Sequence, residues 1–360
     1  MTSPPRIIAL VSVYNEADII AASVDHLSAQ GVGVYLLDDG STDDTLSIAR
    51  ARMGRGIVGV EELPSPGPAG MPRRFSLSRI LERKEELART LDAEWFVNQD
   101  ADEFRESPWP HLTLAAAIGL VDRLGWNAID FEVLNFVPGE EEYEPGSDLA
   151  RVFRRCVPGG AFDRLQVRCW KKPAGGVDLV SSGGHDVGFE GRRVFPIRFP
   201  MRHYPIRGEA HGRRKVFQER LDRFDPAERS AGWHVQYDGV VPGGPLTAGW
   251  GPAVEYDRDA LAVGLQLRHR LVERLIEAGG RLASQRWRLE EETARLAEAL
   301  RRSEERAATA EASARRAEGL AAGLAAGAEE LERRLGEVFA SKSWRVTAPL
   351  RAVWRWLGGR

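Results

Sequence analysis

The sequence predicts an α/β protein built on a parallel sheet and followed by a long helical coiled coil. Three observations carry this. Apolar runs of strand length alternate with helical spacing over the first hundred or so residues. Acidic loops follow those runs directly. From about Ala260 onward, Leu and Ala recur at heptad intervals.

Arg6 to Val13 is continuous, apolar and β-branched, which reads as a strand buried on both faces. Tyr14-Asn15-Glu16 follows as a loop. Ala17 to Gln30 places Ile19, Ile20, Val24 and Leu27 on one helical face, and Gly31-Val32-Gly33 ends it. Val34 to Leu37 is a second strand, closed by Asp38-Asp39-Gly40-Ser41-Thr42-Asp43. Ser41 or Thr42 can cap a helix over Asp43 to Arg52. Ile57 to Val60 reads as a third strand. Pro64 to Pro72 is a Pro/Gly-rich loop, and Arg73-Arg74, Arg79, Arg83 and Lys84 lie on or before a helix reaching Leu91. Glu94 to Val97 is a further buried strand leading into Asn98-Gln99-Asp100-Ala101-Asp102-Glu103-Phe104. A helix over Trp109 to Leu124 and a strand over Ala128 to Val133 follow. Strand-like basic material spans Arg151 to Lys172, and Lys215 to Asp222 begins a helix.

Composition narrows the class. The net charge of −3 gives no bulk field for nucleic acid, so no nucleic-acid partner is expected. Two cysteines, Cys156 and Cys169, in no metal-ligand spacing, suggest a reducing compartment. The first apolar run lacks a small-residue cleavage site and reads as a strand, not a signal peptide. No stretch reaches the ~20 apolar residues of a membrane span. A cytoplasmic protein is expected.

In a parallel sheet, ligands bind beyond the carboxyl ends of the strands. Glu16, Asp38-Asp39 and Asp100-Asp102 all follow strands, so topology directs all three clusters to one edge. Asp100 and Asp102 stand at i and i+2. On extended chain their side chains share a side and offer two hard oxygens to Mg²⁺ or Mn²⁺ with phosphate attached. Arg79 and Arg83 share a helix face and offer cations to phosphate; a solvated basic face is the bland alternative. Glu132 lies on the strand over Ala128 to Val133. His185, Asp186 and His203 sit in Gly- and Pro-punctuated loops with a site-like composition.

Leu275, Leu282, Leu289 and Leu296 set a seven-residue register that continues, missing only at Ser303, through Ala310, Ala317, Leu324, Leu331 and Val338. This predicts a coiled coil, alanine-rich in its middle, that forms a homodimer. The tail carries Leu350, Val353, Trp354 and Leu357 on one face and Arg351 and Arg355 on another. It suits an anionic membrane surface or a protein partner about equally.

Val11-Ser12-Val13-Tyr14-Asn15-Glu16, Leu37-Asp38-Asp39-Gly40-Ser41-Thr42-Asp43 and Asp100-Ala101-Asp102-Glu103-Phe104 together resemble family 2 glycosyltransferases of the GT-A fold. The Asp-x-Asp-Glu-Phe form is similar to a bacterial subgroup of that family. The resemblance covers roughly residues 5 to 240. Ser343 to Arg351 is similar to a tail on bacterial cell-surface polysaccharide glycosyltransferases. The resemblance implies a nucleotide-diphospho-sugar-transferase-like, Rossmann-like mixed sheet over residues 1–258. Residues 1–105 would form the nucleotide-binding half and 106–258 the acceptor half, followed by the coiled coil over 259–340 and the basic tail over 341–360. It further implies a nucleotide-sugar donor, a glycan or lipid-linked acceptor, Mn²⁺ or Mg²⁺, and a tail resting peripherally on the inner face of the plasma membrane. By resemblance, Val13, Tyr14 and Glu16 would border base and ribose, and Asp38 would accept a hydrogen bond from the base with Asp39 nearby. Asp100 would approach the ribose and the metal-bound waters, Asp102 would ligate the metal, and His203 would be a further ligand. Arg79 would assist at the phosphates. An inverting reaction needs a general base. Asp186 is the first choice and Glu132 the second, since the family's usual acidic pair is not obvious here. Two rival classes are a sugar nucleotidyltransferase on a similar sheet and a non-catalytic coiled-coil scaffold.

Overall fold

The computed structural model describes residues 5–64, 74–139, 143–160, 163, 165–221, 223–234, 238–247, 250–265, 293, 295–297, 327–331 and 333. Contacts divide the chain into two units, Met1–Arg270 and Leu271–Arg360. The described residues of the second unit are helical, with Arg333 paired to Glu330 at 2.5 Å. Apart from residues 259–265 and those few, the expected coiled coil over 259–340 lies outside the described residues. So does the whole of the tail over 341–360 and all of the Pro/Gly loop beyond Pro64.

In the first unit the described residues form a ten-stranded mixed sheet. Its strands are β1 (Ile7–Val13), β2 (Gly33–Asp38), β3 (Ile57–Glu62), β4 (Trp95–Asp100), β5 (Glu103–Arg105), β6 (Ala128–Phe136), β7 (Arg155–Pro158), β8 (Val167–Lys171), β9 (Val194–His203) and β10 (Val254–Glu255). The main path runs β10-β7-β6-β8-β4-β1-β2-β3, with β9 paired to both β5 and β6. Strands β4, β1, β2 and β3 are parallel neighbours. β8 runs antiparallel to β4 and β6, which makes the sheet mixed.

Helices α1 (Ile20–Ala29), α2 (Thr45–Arg50), α3 (Leu77–Thr90) and α4 (Leu114–Arg123) connect the strands. Short helices α5 (Leu149–Val152), α6 (Glu209–Arg213) and α7 (Pro226–Ser230) lie in the later half. Both faces of β1 are buried, as its unbroken apolar run requires. Ile7, Ala9, Val11 and Val13 pack with Val24 and Leu27 of α1 and Ile118 of α4. Ile8 and Leu10 pack on the other face with Ile80, Leu81 and Leu87 of α3. Period-two alternation thus feeds two cores at once.

The parallel register sets the functional edge. Val13 aligns with Asp38, Ser12 with Asp100, and Asp38 with Glu62, so the strands end together. The three acidic post-strand clusters emerge side by side, as the sequence predicts. β5 was not anticipated: Glu103 and Phe104 enter a three-residue strand pairing β9, with Glu103 opposite His203. The tyrosine after it closes the ladder, Tyr204 N donating to the Asp102 carbonyl at 2.9 Å.

Candidate active site

The loop after β2 is shaped by Asp38. Its side chain is fully buried and accepts from Gly40 N at 2.9 Å and Ser41 N at 3.0 Å, with Gly40 at φ 82°. An aspartate two residues ahead of its donor amides closes a turn of this kind, and glycine takes the left-handed residue. Asp38 is therefore occupied with its own loop. Its neighbour Asp39 faces the site: its carboxylate accepts from Arg223 Nη2 at 2.8 Å, and the Arg223 guanidinium lies 3.4 Å over the Tyr14 ring. Arg223 thus bridges Tyr14 and Asp39, with Asp39 and not Asp38 presenting its carboxylate to it. Val13 holds this corner through its carbonyl, which accepts from Asp39 N at 2.9 Å.

Asn15 adopts φ 52° and ties the first loop to the second, accepting from Thr42 N at 2.8 Å. Glu16 is buried, and its Oε2 accepts from Arg207 Nη2 at 2.6 Å. Arg207 also clasps Asp18 at 2.7 and 2.8 Å. Ligand atoms of Glu16, Asp18 and His211 lie within 4.8 Å of one another, a set that a cation could share. Here Arg207 bridges both carboxylates, and its amide donates to His211 Nδ1 at 3.1 Å.

Asp102 is the second focus. Its Oδ2 accepts from Lys215 Nζ at 2.7 Å, with Arg207 Nη1 at 3.9 Å; its Oδ1 lies 3.7 Å from His203 Nε2. Burial disfavours the carboxylate charge, yet the Lys215 ammonium and the Arg207 guanidinium outweigh it and hold the group far below the ordinary carboxylate range. His203 is oriented from behind. Asn135 Nδ2 donates to Asp163 Oδ2 at 3.3 Å, so its Oδ1 is turned to His203 Nδ1 at 2.7 Å. The proton of a neutral imidazole then sits on Nδ1, and the Nε2 lone pair faces Asp102. Two donors on one small octahedral cation, each about 2.1 Å from it, stand roughly 3 Å apart when adjacent and roughly 4.2 Å when opposite. The observed 3.7 Å between His203 Nε2 and Asp102 Oδ1 lies between these two separations.

Asp100 sits half in and half out of the sheet end. Its Oδ1 accepts from Ser12 Oγ at 3.2 Å, and Arg168 Nη1 is 3.5 Å from Oδ2. Burial raises its pKa, but Arg168 and Lys84 prevail and lower it. Glu103, unassigned from sequence, anchors this layer: it pairs with Arg168 at 2.8 Å and with Arg105 at 2.8 Å, and accepts from Asp100 N at 3.1 Å. Lys84 is buried from α3 against Asn98 Oδ1 (2.7 Å), Ser12 Oγ (3.1 Å) and the Gln99 carbonyl (3.2 Å). Burial pushes its pKa down to about 8. The cluster is the rigid backing of the edge.

The remaining sequence candidates are placed differently. Arg79 donates to the Pro64 carbonyl at 3.1 Å, and Arg83 is held by Glu61 at 2.8 and 3.0 Å. Asp186 is in an ion pair with Arg192, and Glu132 with Arg198 at 2.7 Å. A carboxylate neutralised by an adjacent guanidinium is a weaker proton acceptor. His185 touches Arg168 and Gln166, and burial with Arg168 lowers its pKa to about 4. Sequence reasoning missed Arg207, Lys215, Arg223, Asn135 and Asp163. A cation-rich run after His203 was the visible signal for the first three; nothing in the local sequence marks the last two.

A family model described as glycosyl transferase family 2 matches residues 8–65, from the first strand to just past the third. No curated protein matches the chain. Among solved structures, S. aureus TarS is similar at 14% identity over 55% of this chain and 36% of that one, with a TM-score of 0.31. S. aureus TarS 1–349 in complex with UDP-GlcNAc is similar at 16% identity over 57% and 60%, with a TM-score of 0.32. The same fragment in complex with UDP gives 16%, 46%, 47% and 0.28. The chain spans less than two thirds of the length of each. At these scores the fold assignment rests on the topology described above.

Proposed function

We propose that the first unit is a GT-A-type, metal-dependent glycosyltransferase of family 2. It would move a sugar from a nucleotide-sugar donor to a glycan or lipid-linked acceptor. One observation carries the reading: Glu16, Asp39 and Asp102 converge on one sheet edge, and a tautomer-fixed His203 faces Asp102 across 3.7 Å. The match over residues 8–65 supports it. In this reading Tyr14 and Asp39 receive the base, with Val13, Glu16 and Asp38 shaping the pocket. Asp100 serves the ribose and the metal-bound waters. Asp102 and His203 hold Mn²⁺ or Mg²⁺, which when bound offsets negative charge on the diphosphate. Arg79 stands off at the α3 end of the crevice.

Inversion requires a general base to take the acceptor hydroxyl's proton, and the candidates here are carboxylates. Asp186 and Glu132 are both ion-paired. Asp163 accepts hydrogen bonds from two neutral donors, Gly160 N and Asn135 Nδ2, and is tethered through Asn135 to His203. We therefore place Asp163 ahead of Asp186 and Glu132 as the base. Bacterial surface polysaccharide is the setting the resemblance of residues 343–351 suggests, with dimerisation through 259–340 and membrane contact through the tail. The test is calorimetric binding of nucleoside diphosphates with and without Mn²⁺. Wild type should bind more tightly with Mn²⁺, and Asp102→Asn should lose that dependence, its fold being checked by circular dichroism because the change also removes the anion beside Lys215. Metal dependence intact in Asp102→Asn sinks the assignment.

A further inference from the structure

Directly after α6 the chain widens into a π-helical turn, Arg214–Arg220, of a kind often found at functional sites. This segment brings cations to the carboxylates of the edge. Lys215 Nζ lies 2.7 Å from Asp102 Oδ2 and 3.7 Å from Glu16 Oε1. Arg220 lies 3.8 Å from Glu16 Oε1, and Arg207, just before α6, lies 3.9 Å from Asp102 Oδ2. The Lys215 side chain is only 4% exposed. The two oxygens of Asp102 are thus divided: Oδ1 faces the imidazole and Oδ2 faces the ammonium.

A buried ammonium is stable only against a strong anion. Lysine differs from arginine here. It is a point charge on a flexible four-carbon stem, so it can exchange one oxygen anion for another a few ångströms away with little backbone movement. Arg207 is pinned by three carboxylate contacts with Glu16 and Asp18 and lacks that freedom. Resting on the donor-site reading above, we propose that Lys215 is a diphosphate-binding residue: its ammonium leaves Asp102 Oδ2 for the donor's diphosphate. In the transfer, the bond between the anomeric carbon and the diphosphate oxygen breaks with its electron pair on that oxygen. The acceptor oxygen forms the new bond to carbon, and its proton goes to the base. Lys215 stabilises the charge gathered on the leaving diphosphate. Until a donor arrives, the same ammonium satisfies Asp102.

The test uses the full chain in EDTA, so that it does not depend on metal. Calorimetry compares wild type, Lys215→Met and Lys215→Arg. The probes are the tightest binder among UDP, GDP, CDP and ADP, its parent nucleoside, and inorganic pyrophosphate. Lys215→Met should bind the diphosphate and pyrophosphate at least tenfold more weakly and bind the nucleoside as wild type does. Lys215→Arg, which keeps the charge but not the compact, flexible ammonium, should bind the nucleoside as wild type does and fall between wild type and Lys215→Met for the diphosphate and pyrophosphate. Unchanged diphosphate affinity in Lys215→Met overturns the proposal. So does a parallel loss of nucleoside affinity, which would mark Lys215 as a structural support. If wild type binds none of the probes in EDTA, the same comparison is run with Mn²⁺, and no binding there either means that the donor-site reading itself falls, an outcome separable from the other two.

Discussion

Helix α3 has no cap of its own. Ser76, at its N-cap position, makes no capping hydrogen bond from its side chain. The role is taken by Glu228, 150 residues further along the chain. One carboxylate oxygen accepts from Ser76 Oγ (3.1 Å), Ser78 N (2.9 Å) and Ser78 Oγ (2.7 Å); the other accepts from Leu77 N (3.0 Å) and His234 Nε2 (2.7 Å). In Glu228→Gln, one oxygen becomes an NH₂ that faces the Leu77 amide, so that N–H loses its acceptor. His234 can change tautomer and keep its bond. The other bonds survive without charge assistance. An orphaned buried donor costs about 1–3 kcal/mol, and lost charge at a helix N-terminus about 0.3–1 kcal/mol. The sum, about 3 kcal/mol, corresponds to roughly 150-fold in an opening equilibrium. Native-state hydrogen exchange should therefore show the Leu77 and Ser78 amides exchanging roughly 100-fold faster. Peptides across 224–234 should loosen with them, because Phe75 N donates to the Arg223 carbonyl and Asp225 N to the Phe75 carbonyl. Acceleration below threefold at Leu77 and Ser78 would refute the capping argument.

The two aspartates after β2 should separate cleanly. Asp38→Ala removes two charge-assisted bonds that shape a loop and should lower stability by about 2–3 kcal/mol in urea titration. Asp39→Asn, which keeps an oxygen acceptor for Arg223, should leave stability within about 1 kcal/mol while weakening nucleotide binding about tenfold. Equal loss of stability in both would break the distinction. His185 makes stability depend on pH. Its folded-state pKa of about 4 lies below the ordinary 6.5, so between those values the unfolded chain binds the extra proton. Stability then rises with pH through that window and is flat above it. At pH 5 the group costs about 2 kcal/mol relative to pH 8. Urea titrations of His185→Gln should show a pH 5 to 8 difference smaller by that amount.

The acidic edge was legible because parallel-sheet topology converts order along the chain into position in space. Three short runs, each a strand followed by a carboxylate, must end together. Which carboxylate does what was not legible. Asp38 and Asp39 are adjacent and chemically identical; only the turn geometry turns one inward and the other toward Tyr14. Asp186 and Glu132 look like free acids in sequence, and their guanidinium partners, six and 66 residues away, appear only in the fold. Lys215 reaches Asp102 across 113 residues, and a lysine in a basic run reads as solvated surface until its burial is known. β5 escaped notice because three residues carry no periodicity.

The pairing of β5 with β9 has a consequence for how such a chain can vary. Asp102 and His203 belong to distant stretches, yet Glu103 stands opposite His203 in one ladder. Side chains on a strand alternate faces, so a one-residue insertion between Met201 and His203 would send the imidazole to the other side of the sheet. The loop between β7 and β8 is constrained as well, because Asp163 in it fixes the Asn135 amide that orients His203. The site is a matter of counting: its tolerance for insertions is set by a three-residue strand that contributes no chemistry of its own.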